Sequence, residues 1–232
     1  MTTLTNDQIR QLNMYSTYIT PPKHPLFTHE QLQQVDVLPV VKTITGIENT
    51  VVAASYLMRR YGMFVSTQLV MLTTYNELWM GHKNEIQFGA ITEYGNQSIS
   101  MYIDKHQYRD VTDQPRDAMI RYVLHEQIHP MIVEMRKHSN ISPLTLWENV
   151  FGFLLWHFYV MLGNSATMDK ARIDFNLLKT DELWNGIAPK SLFGVYLKGC
   201  EPSQLINTMV RTTCCFSKDV PGLQACGFCP LG

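Results

Sequence analysis

Between Ser142 and Gly163 the chain is so uniformly apolar that the segment has to lie inside the protein. Trp147, Phe151, Leu154, Leu155 and Phe158 recur at helical spacing, and most positions between them are apolar too. Ser142 ahead of Pro143 is a helix start, and Gly163 is a stop. A helix that is hydrophobic all round belongs in the middle of a fold, with the other elements wrapped about it. Its densest stretch, residues 150–162, is only 13 residues long and contains His157. A membrane span needs roughly 20 apolar residues, so the pattern predicts a core helix.

The wrapping elements are of mixed type. Residues 1–50 read as a loosely organised lead-in. Asn6 or Asp7 is placed to cap a short helix, Pro21, Pro22 and Pro25 interrupt the chain, and Thr28 with Glu30 opens a second short helix. Residues 48–74 predict a helix broken near Gly62, its later half ambiguous because Val65, Thr67 and Val70 are β-branched. The period then changes to two. Ile86, Phe88 and Ala90, then Ile99, Met101 and Ile103, flank a turn-forming cluster at residues 93–97, which predicts a β-hairpin, with residues 78–80 as a third strand. Helical spacing returns after Asp113, read as a cap with Pro115 in the first turn, and again over residues 168–179. Beyond Gly186 the sequence reads as irregular. The expected class is α+β: a mainly helical domain with a small antiparallel hairpin or sheet and a cysteine-rich C-terminal tail. Residues 1–199 would form the helical body and residues 200–232 the cysteine-bearing segment.

Composition narrows the functional classes. In 232 residues, 45% are hydrophobic and 17% charged, enough for a core that needs no disulfides. A formal net charge of −1 argues against a nucleic-acid binder. The N-terminus shows no basic stretch leading into an apolar run, so no signal peptide is expected. The reading is a cytoplasmic protein without a transmembrane segment, peripheral membrane association staying open. In that compartment clustered thiols bind metal more often than they pair with each other.

Four of the five cysteines fall in the last 19 residues, as C-C-x10-C-x2-C: Cys214, Cys215, Cys226 and Cys229. Two residues between Cys226 and Cys229 let both thiolates turn toward one centre. Four thiolates suit either Zn²⁺ or an iron–sulfur cluster. Adjacent side chains on an extended backbone point in opposite directions, so Cys214 and Cys215 converge on a single zinc only if the chain bends there. A two-iron cluster is larger and accepts a wider span.

The run RTTCCFSKDVPGLQACGFCP, residues 211–230, resembles the C-terminal signature of FhuF-like ferric-siderophore reductases. The sequence LWEN, residues 146–149, is similar to a Trp-x-Asn stretch on a central helix of that family. The resemblance implies a [2Fe–2S] cluster on Cys214, Cys215, Cys226 and Cys229. It also implies one-electron reduction of a siderophore-bound Fe³⁺, of hydroxamate type, with a ferredoxin or flavoprotein reductase as donor. No catalytic residue beyond the cluster ligands is implied. A non-enzymatic binding module stabilised by zinc on the same cysteines is the alternative.

Other signals carry blander expectations. His125-Glu126-Gln127-Ile128-His129 matches the H-E-x-x-H zinc-peptidase pattern, with Glu148 as a conceivable third ligand. Pro130 interrupts the helix at its edge, and a polar helix face is the simpler reading. Cys200 reads as a non-ligand thiol. Trp79, Trp147, Trp156 and Trp184 read as core rather than pocket. Arg59-Arg60 and Arg136-Lys137 read as solvated helix faces, and Arg211, Lys218 and Asp219 as residues that keep the tail soluble.

Overall fold

The computed structural model describes residues 3–93 and 95–231. Helix α1 (Asn6–Met14) is capped by Thr5, one residue ahead of the expected Asn6 or Asp7, because Thr5 and Gln8 complete a reciprocal capping box. Strands β1 (Thr17–Tyr18) and β2 (Phe27–Thr28) follow, and Thr28 caps α2 (His29–Gln34) as expected. Helix α3 (Leu38–Thr45) ends on Gly46 at φ +71°.

Helix α4 (Thr50–Tyr75) is one unbroken span of 26 residues, started by Asn49 and stopped by Asn76 in the left-handed region. The expected break at Gly62 is absent. A Cβ on Gly62 would lie 3.1 Å from the Asn149 carbonyl oxygen and 3.3 Å from the Val150 Cα, so this glycine marks a close helix–helix crossing. Val65, Thr67 and Val70 are buried within the helix, where tertiary packing overrides weak propensity.

Strands β3 (Glu77–Trp79), β4 (Gln87–Glu93), β5 (Asn96–Tyr102) and β6 (Tyr108–Asp110) come next. The predicted hairpin is β4–β5, with Phe88 opposite Met101 and Ala90 opposite Ile99. Tyr94, in its turn, lies outside the described residues. The expected third strand forms but pairs with β6 in a separate two-stranded sheet. The hairpin is flanked instead by β1, parallel to β5, and by β2, antiparallel to β4.

Helix α5 (Arg116–Tyr122) begins after Pro115, not at Asp113, because the residue before a proline is steered away from helical geometry. A π-helical segment (Val123–Ile128) joins it to α6 (His129–His138). Pro130 offers no N–H and its ring crowds the preceding turn, and a widened turn accommodates both. Helix α7 (Pro143–Leu162) has the predicted bounds, with Ser142 accepting from Leu144 N and Gly163 closing it. Helices α8 (Met168–Leu178), α9 (Leu192–Leu197) and α10 (Pro202–Leu205) complete the body, so the region beyond Gly186 is less irregular than expected.

Helices α4 and α7 run together through the core. Trp147, Phe151, Phe158, Phe175, Trp184 and Phe193 form a contiguous aromatic cluster around α7. Trp79, Trp147 and Trp184 are buried as expected, whereas Trp156 is 44% exposed on the outer side of α7. A bidentate Arg116–Asp174 pair at 2.6 Å, joined by Thr73, locks α5 and α8 onto the end of α4. Among the described residues no helix is long and apolar enough to cross a membrane.

Candidate metal or redox site

The cysteine segment is fastened to the two central helices before its first cysteine. Arg211, 5% exposed, does not serve solubility. Its guanidinium donates to the Glu148 carbonyl at 2.8 Å, to Asn149 Oδ1 at 2.9 Å and to the Thr213 carbonyl at 3.0 Å. The Glu148 carboxylate, also buried, accepts the amides of Thr212 and Thr213 at 2.9 Å each, and both threonine hydroxyls. Burial alone would raise its pKa. The hydrogen bonds from Thr212 and Thr213 outweigh this and hold the carboxyl below its ordinary range. Glu148 therefore reads the tail as an anion bound by four donors.

A second chain of bonds runs from α7 through α4 to the cysteines. Asn149 Nδ2 donates to Ser55 O at 3.0 Å and to Ser55 Oγ at 2.9 Å. Ser55 Oγ donates to the Cys215 carbonyl at 2.7 Å. Arg59, one turn further along α4, donates to Ser217 Oγ. Neither arginine of the Arg59-Arg60 pair is a solvated charge. Arg60 meets Glu93 at 2.8 Å and the Ile99 carbonyl at 2.7 Å, pinning α4 to the hairpin. Arg136 and Lys137 are exposed, as expected.

The chain bends sharply at the vicinal pair. Phe216 adopts φ +57°, rare for a bulky side chain, and its amide turns back onto Cys214 Sγ at 3.3 Å. The next turn, residues 217–219, leads to buried Val220. Residues 221–225 are exposed, and the Cys229 amide closes on the Cys226 carbonyl at 3.1 Å. Phe228 lies over Gly152 of α7. All five cysteines are free thiols.

Cys215 and Cys226 lie close enough to influence each other's ionisation. The hydrogen bond between them holds Cys215 down at about 5 against its burial, helped by the charges of Arg59 and Arg211 and by the Ser217 amide. The same bond pushes Cys226 up. Cys214 and Cys229 lie on either side of this pair in sequence. Among the described residues no three His, Cys, Asp or Glu side chains are grouped as one metal ion would require. Cys200 Sγ, by contrast, faces the Lys198 carbonyl at 3.9 Å.

The donor chemistry nonetheless fits a thiolate-bound group. Two arginines offset negative charge at Cys215, and backbone N–H groups point at sulfur, the features by which proteins stabilise bound thiolates. The Tyr196 hydroxyl is buried with no hydrogen-bond partner, within electrostatic reach of Arg211, Glu148 and Cys226. A buried donor left over beside a cysteine segment is what an acceptor bound there would satisfy.

The H-E-x-x-H residues do not assemble a peptidase centre. His125 and Glu126 lie in the π-helical segment, with His125 Nε2 3.4 Å from the Leu183 carbonyl oxygen. Burial, then the neighbouring His125, lower the pKa of His129. Glu148, the conceivable third ligand, is occupied by Thr212 and Thr213.

Sequence reasoning missed Ser55 and Tyr196, which carry no local signature, and read Arg59 as part of a solvated face. The LWEN and RTTCC stretches were visible as separate features; their contact was not. No protein-family model matches the chain, and no curated protein matches it. The chain is thus a folded α+β domain with a cysteine-bearing C-terminal segment, consistent in its donor set with a metal- or redox-binding module.

Proposed function

We propose that the chain is an iron–sulfur ferric-siderophore reductase, with Cys214, Cys215, Cys226 and Cys229 as ligands of a [2Fe–2S] cluster. The observation that carries this reading is that both halves of the C-C-x10-C-x2-C spacing are anchored on the same core helices, the first pair by Ser55 and Glu148 and the second by Phe228 packed over Gly152 of α7. When bound, such a group supplies one-electron chemistry: a reduced ferredoxin or flavoprotein loses one electron, and siderophore-bound Fe³⁺ gains it and becomes Fe²⁺. Fe²⁺ is held less tightly by hard oxygen donors, so softer intracellular ligands compete for it.

The chain's own residues have three tasks in this scheme. Glu148, Asn149 and Ser55 hold Cys214 and Cys215 rigidly on α7 and α4. Arg59 and Arg211 balance the charge of the thiolates. Phe228, over Gly152, and Phe216 shield the sulfurs from water. In this division residues 1–199 form the body that receives the substrate, and residues 200–232 hold the cofactor. The exposed stretch 221–225 lets Cys226 and Cys229 close around the fixed first pair.

Anaerobic purification followed by iron, zinc and sulfide analysis tests the reading. The expected result is a coloured protein with iron and sulfide in equal amounts and a paramagnetic signal on reduction. Cys→Ser at any of the four ligands should abolish both, while Cys200→Ser leaves them intact. A colourless protein with one zinc and no redox chemistry would replace the reductase by the zinc-stabilised module.

A further inference from the structure

Beside the cysteine segment a cleft of about 690 Å³ opens between the end of α3, one face of α4, the tip of the β4–β5 hairpin and residues 220–223. That volume lies within the roughly 300–1,000 Å³ typical of small-molecule sites. Its walls combine apolar surface from Phe153 and Leu223 with hydrogen-bonding groups from Tyr56, Gln97 and Ser98. Two cations reach it. Arg60 is matched by Glu93 at 2.8 Å. Arg59 makes no ion pair with a carboxylate among the described residues, and its partner is the Ser217 hydroxyl. Arg59 therefore brings to the cleft wall a positive charge that no carboxylate neutralises and that it shares with the Cys215 thiol behind it. A neighbouring cavity of about 670 Å³ beyond the Gly46–Pro221 contact contrasts with it, being lined by Glu48 and Asp219 with no cation.

We infer that the cleft over Arg59 is the seat of the ferric chelate, an oxygen-rich, neutral to anionic ligand of a few hundred daltons. This rests on the reductase reading for the identity of the metal, while the cleft's chemistry supplies the ligand class. Arg59 is the link between the two sites. From a single turn of α4 it faces the cleft and holds Ser217, two residues beyond Cys215. Val220 to Leu223, which form the cleft's outer wall, belong to the same connection between Cys215 and Cys226. A ligand in the cleft would thus lie against the cysteine segment itself, with no second layer of protein between them.

Gallium(III) complexes of siderophores separate this inference from the reductase reading, because Ga³⁺ keeps the ligand shell of Fe³⁺ and cannot be reduced under these conditions. Calorimetric titration of the full chain with the gallium complexes of a trihydroxamate, a citrate-type chelator and a triscatecholate should show saturable binding of at least one. Ser98→Trp, which puts a bulky ring into the cleft from β5, should weaken that binding about tenfold or more, with an unchanged circular dichroism spectrum. Arg59→Lys should weaken it less than Arg59→Ala. Binding should survive in Cys226→Ser, since the cleft does not need the cluster. Binding of no complex at millimolar concentration, or binding untouched by Ser98→Trp, would overturn the inference even if the protein reduces iron. Binding with these dependencies in a protein that carries no iron would leave the cleft assigned and sink the reductase.

Discussion

The hydroxyl of Ser55 donates to the backbone carbonyl of Cys215 at 2.7 Å, across 160 residues of sequence. Through this bond the second turn of α4 fixes the position of the vicinal cysteine pair. Its partner bonds run through Asn149 and Glu148 on the other core helix, so cysteine placement and core packing are one structural problem.

Glu148→Gln keeps the shape of the side chain but removes the charge opposite Arg211 and turns an N–H₂ toward a threonine donor. Stability should fall by roughly 3–5 kcal/mol, as when a buried charge loses its partner. Urea unfolding with limited proteolysis checks this; the cysteine segment should become cleavable first. Acid should act in the same way on the wild type. The carboxyl is depressed in the folded state, so its contribution is present above pH ~4.5 and is lost as pH falls through the lower folded value.

Two glycines on facing helices should respond oppositely to the same change. In Gly62→Ala the new methyl meets α7 backbone at 3.1 Å, and the expected loss is about 1–3 kcal/mol. In Gly152→Ala it meets only the Phe228 ring at 3.5 Å, and the helix should gain up to ~1 kcal/mol. Thermal midpoints of the two variants should move in opposite directions.

His29 and His157 add a second acid sensitivity. Burial pushes both down to about 4, with Lys83 adding to the effect at His29. The unfolded chain protonates them near 6.5, so between pH 6.5 and 4 it binds more protons than the native state. Stability should therefore decline on acidification in this window, by up to ~1.4 kcal/mol per pH unit for each histidine. The decline should be shallower in His157→Phe, measured by denaturant unfolding at pH 7, 6 and 5.

Tyr196→Phe removes a buried hydroxyl that has no partner. In cofactor-free protein the change should be neutral or stabilising by ~1 kcal/mol. A clear loss of stability, seen in the same unfolding assay, would show that the hydroxyl has a hydrogen-bond partner within the chain.

The parts of the fold legible in the sequence were those governed by local rules. The bounds of α7, the Thr28 cap and the β4–β5 hairpin all follow from cap residues or strict periodicity. The misreadings came where tertiary contact decides. Gly62 looks like a helix breaker until Asn149 is placed against it, and Arg59-Arg60 look solvated until the hairpin and the tail close over them. The candidate site divides similarly. The cysteine spacing is a local pattern and could be read directly, whereas Glu148 looked like a spare metal ligand. Only folding reveals that Thr212 and Thr213 occupy it.

The two cysteine pairs are fixed to very different degrees, and this bears on how the protein matures. Cys214 and Cys215 are bolted to the core by bonds that form whether or not any inorganic partner has arrived, while the stretch leading to Cys226 and Cys229 faces solvent. If the proposed cofactor is bound, the body can therefore hold its shape before loading, and only the exposed connection at residues 221–225 has to move to admit it.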